Sequence, residues 1–159
     1  MNSPAKTLVL GLGNPILGDD GVGIRVAQDL RERLTDRTDV DVIEADAGGL
    51  RILDLIVGYE KLVLIDSINL SDGKPGRVYR LTPHDLRFTT RVSSPHDVNF
   101  ATALDLGRRQ GLPVPNQIEI YAIGVWENQT FGENLTPEVE RAVPDIVDRI
   151  LKDQFSNDQ

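Results

Sequence analysis

The chain has 159 residues, a net charge of −8 and no cysteine. This excludes disulfides, thiolate metal sites and a cysteine nucleophile together, and nucleic acid or an anionic membrane, both of which need a basic face, is a poor main partner. No run approaches the roughly 18 apolar residues of a membrane span, and Met1 to Lys6 lacks the apolar stretch of a signal peptide, so a cytoplasmic, single-domain protein spanning 1–159 is expected, ordered over about 7–153.

Thr7 to Gly13 reads as a strand, with Leu8-Val9-Leu10 suited to burial on both faces. It runs into Gly11-Leu12-Gly13-Asn14-Pro15-Ile16-Leu17-Gly18-Asp19-Asp20-Gly21-Val22-Gly23, a glycine-rich loop that turns tightly and lets a ligand approach the backbone. Val22 to Leu34 is an amphipathic helix with Val26, Ala27, Leu30 and Leu34 on its apolar side. Asp19 or Asp20 is its expected N-cap. Val40 to Ala45 is a second strand, broken by Gly48-Gly49, and Leu50 to Val57 a short helix. Leu62-Val63-Leu64-Ile65 is the most strand-like run and is expected to end at Asp66.

After turn signals at Asp72-Gly73 and Pro75-Gly76, Arg77 to Leu81 alternates as an antiparallel or edge strand. Residues 83–96 read as a surface loop. Ser94-Pro95-His96-Asp97 opens a helix with a serine cap, proline at the first helical position and an acid at the capping-box position; Gly111 stops that helix. Ile118 to Ile123 is a further strand, Trp126 to Leu135 a loop, and Thr136-Pro137 opens a last helix reaching about Lys152. Pro144 lies inside it, and the tail from Phe155 is expected to fray. Strands alternating with helices give an α/β fold: an open, mostly parallel twisted sheet with helices on both faces. The tripeptide Pro-His-Asp occurs twice, at 83–85 and 95–97.

That topology gathers Asp19-Asp20, Asp66 and one of the two histidines, His84 or His96, at the carboxyl edge of the sheet. Two carboxylates and an imidazole suit a divalent metal of borderline softness such as nickel or zinc. The same groups suit acid–base work on a peptide, because neighbouring carboxylates push each other's pKa apart. Each also has a plain structural role open to it: Asp20 as a helix cap, Asp66 as a turn residue, the histidine as an exposed polar side chain. A dinucleotide site is disfavoured, since the third glycine of G-x-G-x-x-G is missing and acids at the helix start repel a pyrophosphate.

The loop motif resembles the opening of the hydrogenase maturation endopeptidases. The further landmarks come in the order of that family: Asp46-Ala47-Gly48-Gly49, Leu64-Ile65-Asp66-Ser67, Pro75-Gly76, Ser94-Pro95-His96 and Asn134-Leu135-Thr136-Pro137. The resemblance implies a phosphorylase/hydrolase-like α/β fold and a peptidase. Its substrate would be the large-subunit precursor of nickel–iron hydrogenase, from which it removes a C-terminal extension once nickel is in place. It implies metal contacts at Asp20, Asp66 and His96, with Asp20 and Asp66 as aspartyl-type catalytic residues. Gly18, Asp19, Gly48, Gly49 and Trp126 would contact substrate. The nickel would come with the precursor, with no metal stored in the free enzyme. A monomer with no nucleic-acid or membrane partner is expected. His84, after a strand, is expected in solvent. Two alternatives have other chemistry. One is a nickel-precursor-binding chaperone without catalysis. The other is a peptidyl-tRNA hydrolase-like esterase, which shares Gly11-Leu12-Gly13-Asn14-Pro15 but diverges from Ile16 onward.

Overall fold

A computed structural model describes residues 6–46, 50–69, 74–88, 95–126, 132 and 134–156. In chain order the elements are β1 (Thr7–Leu12), a 3-10 turn (Gly18–Gly21), α1 (Val22–Arg33), β2 (Val40–Ala45), α2 (Leu50–Ile56), β3 (Lys61–Asn69), β4 (Val78–Leu81), α3 (Pro83–Phe88), α4 (Pro95–Arg109), β5 (Gln117–Val125) and α5 (Pro137–Phe155). The five strands form one sheet in the order β2-β1-β3-β5-β4. All neighbours are parallel except β4, which runs antiparallel to β5 at the edge.

Alternation along each strand divides the core into two layers. Leu8, Leu10, Leu12, Leu62 and Leu64 pack with Ile52 and Ile56 of α2 and with Phe100 and Leu104 of α4. Val9, Val63, Ile65, Tyr121 and Ile123 pack on the opposite face with Val22, Val26 and Leu30 of α1 and with Val139, Val143 and Ile146 of α5. This is the open, mostly parallel sheet with helices on both faces that the sequence predicts. Among the described residues, no helix is long and apolar enough to cross a membrane.

The chain leaves β1 to one side into β2 and later builds β3 on the other side, so the strand order reverses between β1 and β3. In open α/β sheets the crevice outside the carboxyl ends at such a point is where ligands bind.

Four local expectations are corrected. Asp66 does not end a strand; it lies within β3, because β5 pairs with β3 along the whole stretch from Lys61 to Asn69. Residues 83–88 are a helix rather than loop. The Asp85 amide donates to Thr82 Oγ1 at 3.2 Å, and the Thr82 amide donates to Asp85 Oδ2 at 2.8 Å, a reciprocal capping box. Those bonds from Thr82 hold the Asp85 carboxyl below its ordinary range. Neither Asp19 nor Asp20 caps α1, whose N-cap is Gly21 without a side-chain bond. The last helix continues through Phe155, whose ring lies 5.3 Å from the Arg37 guanidinium.

Candidate active site at the strand-order switch

Glycine geometry creates the site. Gly13 sits at φ +152, and its amide donates to Ala45 O at 3.1 Å as the chain swings out of the sheet. A Cβ on Gly23 would lie 2.5 Å from Ile65 O and 2.6 Å from Leu12 O. Only a residue without a side chain therefore lets the start of α1 rest directly on the carboxyl ends of β1 and β3. That contact sets the preceding 3-10 turn, with Asp19 and Asp20, over the strand ends.

Asn14 and Pro15 shape the rest of the loop. Asn14 Oδ1 accepts from the Ile16 amide at 3.1 Å, an Asx turn. The Asn14 amide donates to Asp20 Oδ2 at 2.8 Å. The other oxygen of Asp20, Oδ1, accepts from Ser67 Oγ at 3.0 Å. One carboxylate thereby closes the loop on itself and ties it to β3.

Asp66 is 1 % exposed. Pairing of β3 with β1 stops at Gly11↔Ile65, whereas β5 continues alongside. Past the end of β1, the Ser67 amide donates to Asp66 Oδ1 at 2.8 Å. The alternation of β3 puts Asp66 with Leu64 and Ile68 toward α2 and α4, and Ser67 with Val63 and Ile65 toward α1 and α5. Asp66 and the Asp20-bonded hydroxyl of Ser67 thus lie toward opposite layers past the end of β1, with Ser67 bonded to both acids.

Asp19, for which substrate contact is expected, bonds to Thr136 at the start of α5. It is 3 % exposed. Its Oδ1 accepts from the Thr136 amide at 2.7 Å and its Oδ2 from the Thr136 hydroxyl at 2.8 Å. Thr136 is also the N-cap residue of α5, to which its side chain makes no cap bond. The loop is further held by Gly18 N donating to Gly132 O and Gly132 N donating to Ile16 O, both at 2.8 Å.

Gly18 opens the 3-10 turn at φ +56 and Trp126 comes directly after β5 on the same sheet edge, 45 % exposed. Gly48 and Gly49 lie outside the described residues. His96 falls in the first turn of α4, on the layer that Asp66 faces, and its imidazole lies outside the described residues. His84, in the first turn of α3, is exposed as expected. Among the described residues no group of three His, Cys, Asp or Glu side chains is arranged to hold a metal ion. Two cavities flank Pro15 and Ile24: one of about 480 Å³ toward Ala45, Asp46 and Arg51, one of about 320 Å³ toward Gly18, Arg25 and Leu135. Ser67 is the site residue to which the sequence pattern assigns no role. A serine beside a strand acid carries no spacing signature, and its importance appears only when Asp20 arrives from 47 positions away.

Residues 24–153 match the family model of hydrogenase maturation proteases. The hydrogenase 2 maturation protease of Escherichia coli K12 is 26% identical over 148 residues, 92% of this chain and 88% of that protein. The solved structure of a hydrogenase-maturating endopeptidase from E. coli superposes with a TM-score of 0.78 at 24% identity, covering 93% of this chain and 91% of the other. A hydrogenase 2 maturation peptidase from a Thaumarchaeota archaeon is 30% identical with a TM-score of 0.62, covering 93% and 97%.

Proposed function

The chain belongs to the hydrogenase maturation protease family and is a peptide-bond hydrolase, and from that premise we propose that it removes the C-terminal extension of a nickel–iron hydrogenase large-subunit precursor after nickel has been inserted. The observation that carries this reading is the pairing of Asp20 with Asp66 through Ser67 at the strand-order switch. Such a pair, at the mouth of an open sheet, can supply general acid–base catalysis to a bound peptide.

The substrate brings its own metal ion in this reading. Asp20, Asp66 and His96 offer oxygen and nitrogen donors, which suit a borderline ion already held in part by the precursor. Three such donors on separate elements make a weak store but a selective clamp. Docking would set the scissile bond beside the carboxylates. One carboxylate takes a proton from water as the water oxygen bonds to the carbonyl carbon; the C–N bond then breaks and the proton passes to the leaving amine. The exposed Trp126 ring and the cavity beside Gly18 are the surfaces on which the peptide would lie. The acidic chain works in the cytoplasm as a monomer, beside the precursor it processes.

Nickel-loaded and nickel-free precursor incubated with the protein test this directly. Cleavage confined to the loaded form is the expected result. Equal cleavage of both would remove nickel from recognition, and tight binding of loaded precursor without cleavage would make the protein a chaperone.

A further inference from the structure

We propose that Ser67 is a positioning residue for the peptidase reaction, fixing Asp20 and Asp66 relative to each other across the two layers of the fold. The inference rests on the reading that these two acids carry the activity.

Three observations support it. Ser67 makes two bonds with two different atoms: its hydroxyl to Asp20 Oδ1 at 3.0 Å and its amide to Asp66 Oδ1 at 2.8 Å. It is 3 % exposed, so water does not readily replace either bond. Its own position is set by the backbone, since Ser67 pairs with Ile123 in the body of the β3–β5 ladder. The β3–β5 ladder thereby dictates where the loop acid points. Without the hydroxyl, the bond left to Asp20 among the described residues is that from Asn14, which belongs to the same loop. Its carboxylate would then be fixed to the loop but not to Asp66.

The effect is specific to the hydroxyl. In Ser67→Ala the amide bond to Asp66 remains, so the strand and the buried acid stay in place while Asp20 loses its tie to the sheet. Removing a partner that orients a functional carboxylate costs about 10- to 100-fold in activity, and small misplacements of reacting groups are of the same order.

The experiment compares Ser67→Ala, Ser67→Thr, Asp20→Asn and Asp66→Asn on nickel-loaded precursor, each with its melting curve. The expected result for Ser67→Ala is a kcat lower by about 10- to 100-fold, KM changed less than about twofold and a cooperative melt like that of the parent. Ser67→Thr, which keeps the hydroxyl, recovers most of the loss. A kcat for Ser67→Ala equal to the parent's overturns the proposal, as does a loss that tracks the fraction unfolded. If Ser67→Thr itself melts early, the kcat and KM of Ser67→Ala decide alone. Full activity in Asp20→Asn and Asp66→Asn sinks the underlying assignment instead, and a dead acid pair beside a fully active Ser67→Ala sinks only the positioning role.

Discussion

Asp19 and Asp20 are adjacent in the chain and do unlike things. Asp19 is buried, and both its oxygens are spent on Thr136; Asp20 reaches to Asn14 and Ser67 at the site. Asp19→Asn removes the charge from the group that accepts both Thr136 bonds. Hydrogen bonds to a charged group contribute about 1.5–3 kcal/mol, so this variant is expected to lower the melting temperature by several degrees. Asp20→Asn is expected to abolish cleavage with little change in the melt. Calorimetry and a cleavage assay on the two single variants separate them; loss of stability at position 20 without loss of activity would reverse the assignment. The same contrast shows what a sequence can convey. Two acids after a glycine loop point to the strand-order switch, because strand, loop and helix are local. Which acid faces the site depends on Thr136, 117 positions away, and no local pattern encodes that. Gly23 is the complementary case: its contact with Ile65 O and Leu12 O leaves no room for a methyl group. Gly23→Ala is expected to cost about 1–3 kcal/mol through overpacking and to reduce cleavage as the 3-10 turn lifts, which circular dichroism and the same assay would read.

Among the elements, the strands and the long helices are legible from their apolar periodicity, and the two-layer core results from it. The misreadings concern elements whose definition lies in a partner. β3 runs on through Asp66 because β5 is as long as it is, a fact about β5. α3 has too few residues to show a 3.6 period, and its only sign is Thr82-Pro83-His84-Asp85, which repeats the pattern of Ser94-Pro95-His96-Asp97. Both copies of Pro-His-Asp begin helices, α3 and α4. Thr82→Ala removes one half of the α3 capping box, at a cost of about 1 kcal/mol for a typical cap. The Asp85 carboxyl is held down first by the Thr82 backbone bond and second by the Thr82 side chain, and since alanine keeps the backbone donor it is expected to rise only part of the way toward its ordinary range. An NMR titration of the Asp85 side chain in parent and variant measures this; an unchanged midpoint would mean that the Thr82 side chain does not hold the carboxylate and the backbone bond acts alone.

For the molecule as a whole, two tyrosines join elements far from the site and make its stability depend on alkaline pH. Tyr59, just after α2, donates to Asp41 Oδ2 of β2 at 2.6 Å. Tyr121 of β5 donates to Asp153 Oδ2 at 3.0 Å and accepts from Gln154 at 2.8 Å, both on α5, with Arg80 stacked 4.2 Å from its ring. Burial, reinforced at Tyr59 by the Asp41 bond, pushes each phenol up to about 12. The unfolded chain loses these protons at an ordinary pKa of 10.0. Below that value both states are protonated and the stabilisation is fully present. Between about 10 and about 12 the unfolded state binds fewer protons than the folded one, so stability falls as pH rises. Urea unfolding on either side of this window is expected to show the decline, and phenolate absorbance to show two tyrosines titrating late. Tyr59→Phe and Tyr121→Phe each remove part of the slope, while leaving cleavage at neutral pH intact because neither ring touches the acid pair. A slope that survives in the double variant would place the alkaline sensitivity in other groups.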